Sequence, residues 1–301
     1  MYNQIDSNKR KTAILIAGFV AIIMLVGFAF SQTTELGYSG LVIAAGVSII
    51  MSLSSYFYGD KVALSTAGAK GPLVKEDNPY LYRLVENLSI TAGLPVPKVY
   101  LIPDPAINAF ATGRNPQHAS IAVTTGAIDK LENEELEGVL AHELSHIKNY
   151  DILLMTIVIV LVGLIALLSD WFIRIKFWGG SSKGSDNRNS GSNQLQAILL
   201  IAGVVLLILS PLIGKLIQLA ISRKREFLAD ASGSLLTRYP EGLARALEKI
   251  SQESMPVKKA NNATAHLYIA SPFGRTKHAF SNLFATHPPI TERVAALRQM
   301  I

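Results

Sequence analysis

Four stretches of this chain carry no charged residue: 12–30, 40–58, 152–168 and 195–213, each 17 to 19 residues long. At about 1.5 Å of rise per residue, a helical run of that length comes close to spanning a bilayer core about 30 Å thick. Inside hydrocarbon each backbone amide must find its partner within its own segment, so the helix is the form open to such runs. Half of the 301 residues are apolar, and these runs hold the excess. The sequence therefore predicts a mainly α membrane protein with four transmembrane helices. None of the runs contains Asp, Glu, Lys, Arg or His, which argues against a transport path through them.

Orientation follows from the flanks. Lys9-Arg10-Lys11 precedes the first run, whereas the link 31–39 holds Glu35 and no Lys or Arg. That bias puts the N-terminus in the cytoplasm, and two spans bring the chain back there. The first run is too long for a typical signal core and a second follows at once, so residues 12–58 read as an N-terminal transmembrane hairpin. Residues 59–151 read as a soluble mixed α/β part. Residues 152–221 read as a second hairpin, whose link 179–193 is built only of Gly, Ser, Asn and charged residues. Residues 222–301 complete the soluble part, with both termini cytoplasmic and the link 179–193 outside. The second hairpin has the poorer asymmetry, since Arg174, Lys176, Lys183 and Arg188 would lie outside. Membrane flanks explain the net charge of +6 better than nucleic acid does, because Lys and Arg form no aromatic-laced patch. The chain has no Cys, hence no disulfide and no thiolate ligand for a metal.

Within 59–151, Asn78 and Pro79 open a helix that carries Leu81, Leu84, Val85 and Leu88 on one stripe and stops before Gly93. Residues 98–102 read as a strand. Residues 108–112 and 120–124 read as two more, forming a hairpin across a turn-rich 113–116. This hairpin either covers the next helix or offers an edge to which an extended substrate adds as a further strand.

That next helix carries His142-Glu143-Leu144-Ser145-His146. Helical positions i and i+4 share a face, so both imidazoles can reach one metal ion. Glu143, next to the open position, can take a proton from metal-activated water. The pattern points to a zinc hydrolase with His142 and His146 as ligands and Glu143 as catalytic base. A third ligand is found by topology: if 152–221 is a hairpin, its ends lie at one depth, which brings Glu226 level with His146. A surface carboxylate paired with neighbouring arginines is the competing reading. Asp230, one helical turn beyond Glu226, is placed to hydrogen-bond a ligand histidine.

These residues, with Glu226-Phe227-Leu228-Ala229-Asp230, Asn108-Ala109-Phe110-Ala111-Thr112-Gly113, and Thr286-His287-Pro288-Pro289 followed by Arg293, resemble the HtpX-type integral membrane zinc metalloproteases. Those are bacterial relatives of the eukaryotic endopeptidase that processes prenylated proteins. The resemblance spans nearly the whole chain. It implies a gluzincin-like catalytic domain on the cytoplasmic side of the bacterial inner membrane. It also implies a Zn2+ cofactor and quality-control cleavage of membrane or unfolded polypeptides, with no nucleic acid partner. It further implies that Asn108 and His287 approach the substrate carbonyl, His287 as an oxyanion donor. The alternative is a catalytically idle zinc-binding membrane scaffold.

Overall fold

The structure, a computed structural model, describes residues 2–33, 37–161, 163, 223–253, 255–260, 264–273 and 287–300. The link 179–193, the apolar run 195–213 and the end of the run 152–168 lie outside the described residues.

Two long helices open the chain, α1 (Tyr2–Thr33) and α2 (Tyr38–Ala67). They pack through small residues: a Cβ on Gly27 would overlap the side chain of Ala44, so the backbones approach closely there. Ile14, Leu25, Val42, Ile43, Ile50 and Leu53 on these helices are more than half exposed. An apolar surface of that extent suits lipid. By length and composition α2 is able to cross a membrane. It does not stop where its apolar run stops. Although Asp60 and Lys61 end the run, good helix formers follow, and Ala63, Leu64 and Ala67 sit in the core formed with α3, the sheet and the later helices.

Helix α3 (Pro79–Ala92) starts as expected, with the Asn78 side chain accepting from Leu81 N–H, and ends on Gly93 at φ 67°. Strands β1 (Lys98–Ile102), β2 (Ala109–Gly113) and β3 (Ala119–Thr124) form a mixed sheet in the order β1-β3-β2. β3 runs parallel to β1 and antiparallel to β2, with Ala109 opposite Val123 and Gly113 opposite Ala119. The expected hairpin is therefore present, with β2 one residue later than its pattern suggested and at the sheet edge. A short α4 (Thr125–Lys130) leads to α5 (Asn133–Lys148), whose first turn is closed by the Glu135 carboxylate accepting from Glu132 N–H.

α5 is the central element. Leu136, Leu140, Leu144 and Ile147 are fully buried among α3, the sheet and two later helices, α7 (Arg223–Thr237) and α8 (Pro240–Gln252). α6 (Asp151–Leu161) turns away from α5 by 83° at residues 149–150. The two together pass the length and composition test for a span but do so only as a bent pair. α6 is apolar all round and buried, with Leu153, Leu154, Ile157, Val158 and Leu161 packed on Leu15 and Phe19 of α1. α9 (Ile290–Arg298) closes the molecule against α8.

Glycines set the approach of helices to α5. A Cβ on Gly233 of α7 would stand 2.9 Å from His142 N, and one on Gly138 would stand 2.7 Å from Leu243 N of α8. Gly233→Ala should therefore push α7 off α5 and destabilise the protein by about 1–3 kcal/mol. Gly46→Ala on α2, with nothing within 4 Å of its Cβ position, should be neutral. Thermal unfolding of the purified variants checks both.

Candidate metal centre

The i, i+4 spacing on α5 does what helical geometry requires: the rings of His142 and His146 meet edge to face at 4.7 Å, with their Nε2 atoms 3.1 Å apart. Glu226, in the first turn of α7, reaches both. Its Oε1 lies 3.6 Å from His146 Nε2 and its Oε2 lies 3.9 Å from His142 Nε2. One ligand atom from each of the three residues fits within 4.8 Å, and all three residues are buried. Tetrahedral bonds of about 2.0–2.1 Å separate two ligand atoms by about 3.3 Å, so the cluster has the right scale for a small divalent cation.

The far nitrogens of the rings are committed. His142 Nδ1 lies 2.9 Å from Asp230 Oδ1, and His146 Nδ1 lies 3.0 Å from Asp151 Oδ2. Each Nδ1–H donates to a carboxylate, which in the neutral ring leaves the Nε2 lone pair turned toward Glu226. Arg293, fully buried, holds Asp230 through Nε at 2.8 Å and Nη2 at 2.6 Å, and its Nη1 donates to Ile269 O at 2.9 Å. A planar guanidinium binding two carboxylate oxygens fixes orientation as well as charge.

Glu143 is different. It is buried, and among the described residues no partner meets hydrogen-bond geometry with either carboxylate oxygen, although the Ala111 backbone stands near enough to pull its pKa down. An orphaned buried carboxylate beside three converging ligand atoms is the observation that best fits a missing cation and its water. Burial lifts the Glu143 carboxyl to about 8, with His146 opposing. Burial drives His142 down to about 4 against the pull of Asp230. His146 also suffers burial, but the Asp151 hydrogen bond and the charges of Glu226 and Asp151 outweigh it and hold the ring up at about 9. Glu226 stays well below the ordinary carboxylate range because His287, His146 and Arg293 overcome its burial.

His142, Glu143, His146, Glu226 and Asp230 thus come together as the sequence suggested. The other two candidates stand differently. His287 bonds Glu226 through Nδ1 to Oε2 at 2.8 Å, while its Nε2 has no partner among the described residues. Asn108 precedes β2, is 3% exposed, and is spent on its neighbours. Its Nδ2 donates to Ala270 O at 3.4 Å, its Oδ1 accepts from Ala109 N at 3.1 Å, and no hydrogen bond joins it to the cluster among the described residues. From the sequence, Arg293 entered only within the resemblance, and neither it nor Asp151 was given a part in the centre. A lone acid at the mouth of an apolar run was a signal for Asp151, because such a group is costly there unless paired.

Residues 75–301 match the family described as Peptidase family M48. The chain belongs to that family. It is 45% identical over 299 residues to a protease HtpX homolog of Dictyoglomus thermophilum, covering 99% of this chain and 94% of the relative. A protease HtpX homolog of Lactobacillus helveticus is also 45% identical, with both chains fully covered. One of Listeria monocytogenes is 43% identical over 304 residues, again with both chains fully covered. The fold resembles the crystal structure of S. mikatae Ste24p with a TM-score of 0.52 at 21% identity, over 99% of this chain and 67% of that one. Membership places the chain among the proteases, and the buried His-His-Glu cluster fits the metalloprotease class.

The protonation pattern yields a prediction. His146 is held near 9 and so carries a proton at pH 7 that blocks a ligand nitrogen, and Glu143 is held near 8. Uptake of a divalent cation at pH 7 should release about one to two protons, the first from His146, and should weaken as pH falls from about 9. Calorimetric titration in buffers of different ionisation enthalpy measures this. Uptake with no proton released would remove His146 from the ligand set.

Proposed function

We propose that this chain is a membrane-bound zinc metalloendopeptidase that cleaves membrane or unfolded polypeptides at the cytoplasmic face of the bacterial inner membrane. The observation that carries the reading is the unpartnered Glu143 carboxylate next to the converging His142, His146 and Glu226 ligand atoms. His142 Nε2, His146 Nε2 and the Glu226 carboxylate would hold the ion. Zinc in such a set supplies a Lewis acid and lowers the pKa of water to near neutrality.

The chain's own residues do the rest. Glu143 takes a proton from the water that attacks the peptide carbonyl and returns it to the departing amine. A carboxyl pushed up by burial and drawn down by positive charge beside it can make both transfers near neutral pH. As an imidazolium, with Nδ1–H on Glu226, His287 would donate through Nε2–H to the carbonyl oxygen as negative charge develops. The substrate main chain would meet β2 at Ala111, between two positions whose edge groups are already taken. Ala109 O accepts from Ile269 N and Gly113 N donates to Thr156 Oγ1, so these residues turn their groups to the outer edge. By strand alternation Ala111 does too, at the level of Glu143. A substrate pairing there presents its backbone to the base, and the pairing reads main chain more than side chain, which suits unfolded polypeptides.

Four transmembrane helices serve as the anchor, with zinc and catalysis on the cytoplasmic side because Lys9-Arg10-Lys11 stays inside. A catalytically idle scaffold would have no use for a buried orphan carboxylate.

Two experiments test this reading. Glu143→Gln should keep its zinc and lose about 10²–10⁴ in turnover of an unfolded protein such as casein. Glu226→Gln should weaken zinc binding by more than Asp230→Asn, for which about 10–100-fold is expected. Glu241→Gln, whose partner is the exposed Arg298, is the control and should bind zinc normally. Normal turnover by Glu143→Gln, in a preparation free of host protease, would end the proposal. For orientation, single cysteines replace Glu76 and Gly184 in a chain that has none. An impermeant thiol reagent applied outside should label the second and spare the first, and the reverse pattern would invert the topology.

A further inference from the structure

The N-terminal helix does more than anchor. Asn8, Thr12, Leu15 and Phe19 form its buried stripe, facing α6. Leu15 and Phe19 make apolar contact, as a membrane helix would. Asn8 is fully buried, and its amide is saturated: Nδ2 donates to Asp151 Oδ1 at 2.7 Å and to Asn149 O at 2.9 Å, and Oδ1 accepts from Arg225 Nη1 at 3.2 Å. Two acceptors on one side and a guanidinium on the other admit one orientation of the amide. Asp151 gives its second oxygen to His146 Nδ1. Arg225 is the residue before Glu226. One side chain from the start of the chain therefore joins the groups behind two of the three candidate ligands, across 143 positions to Asp151 and 217 to Arg225.

We propose that Asn8 is a positioning residue of the metal centre, holding Asp151 and Arg225 so that His146 and Glu226 keep their bearing on the ion. This rests on the reading of His142, His146 and Glu226 as metal ligands. The effect runs through Asp151. An aspartate free to turn would satisfy itself elsewhere and leave the imidazole unaligned, whereas one clamped on its other oxygen cannot. Arg225 adds to the restraint, since its Nε lies 3.7 Å from Asp151 Oδ1. Asn8 lies outside residues 75–301, so the centre of this chain draws on a part that the family match does not include.

The test uses the full chain purified in detergent, with zinc affinity measured against a chromophoric chelator. Asn8→Ala should weaken zinc binding about tenfold. Asn8→Leu, which fills the same space without polar groups, should do the same if the smaller variant folds poorly. In a chain already carrying Asp151→Asn, the Asn8 substitution should cost clearly less affinity than in the parent, because its route to His146 is gone and only the contact with Arg225 remains. Phe19→Ala, which loosens the same helix against α6, should lower the melting temperature and leave zinc affinity within about twofold. Parent-like affinity in both Asn8 variants overturns the proposal. So does an equal loss in the Asp151→Asn background, or an equal loss from Phe19→Ala, since either marks a merely structural role. A parent chain that binds no divalent metal overturns the ligand assignment itself, and with it this inference.

Discussion

Charge balance in a dry interior governs this structure. Glu143, Asp151, Glu226 and Asp230 stand around α5 with Arg225 and Arg293, and none of the six is more than 6% exposed. Four carboxylates against two guanidiniums leave two negative charges where burial of each unbalanced ion costs several kcal/mol. Two routes remove that deficit. Protons on His146 and Glu143 do so, in keeping with the upward displacement of both groups. A divalent cation held by neutral imidazoles does so equally. Either route balances the same two charges.

The same balance fixes the helices. α5 supplies the imidazoles, α7 supplies Glu226 and Asp230, α9 supplies Arg293, and the start of α6 supplies Asp151. Each is held by a charged contact that loses its partner if the element moves. Breaking one buried pair leaves the other member unpaired at a cost of about 3–5 kcal/mol, more than a single apolar contact provides. Close packing permits the arrangement: Gly233 lets α7 lie on the backbone of α5 at His142. Shape and charge therefore select one register between the two helices that carry the ligands.

How much of this was legible in the sequence divides along contact range. His142, Glu143 and His146 could be read because helical periodicity alone sets their geometry. Glu226 could be read because two apolar runs between it and His146, taken as a hairpin, would end at one depth, and Asp230 because it follows one turn later on the same helix. Asn78 and Gly93 bounded α3 through local capping chemistry. Asn8 and Arg293 could not be placed, because their partners lie 143 and 63 positions away and no local pattern links them. The partner of Asn108 was hidden for a related reason. Its position beside an edge strand was visible, but Ala270, which takes its amide, arrives from a segment with no periodicity of its own.

The bend after α5 is the step that no composition argument anticipates, and the centre depends on it. On a straight helix, residue 151 would lie five positions beyond His146, about 140° around the axis, and its carboxylate would point away from the imidazole. The chain instead leaves the helix at Asn149, passes Tyr150 at φ 59° and restarts as α6 at 83° to α5. A left-handed conformation costs a tyrosine about 1–2 kcal/mol. Two contacts offset that: Lys9 stands 4.8 Å from the centre of the Tyr150 ring, and Asp151 swings back to within 3.0 Å of His146 Nδ1. The turn also lays the apolar α6 against α1, which carries Asn8 to the other oxygen of Asp151. The direction of the apolar α6 and the contact behind His146 are therefore set by the same two residues of backbone. A catalytic helix that ran straight on into the apolar segment would have neither Asp151 nor Asn8 behind its second histidine.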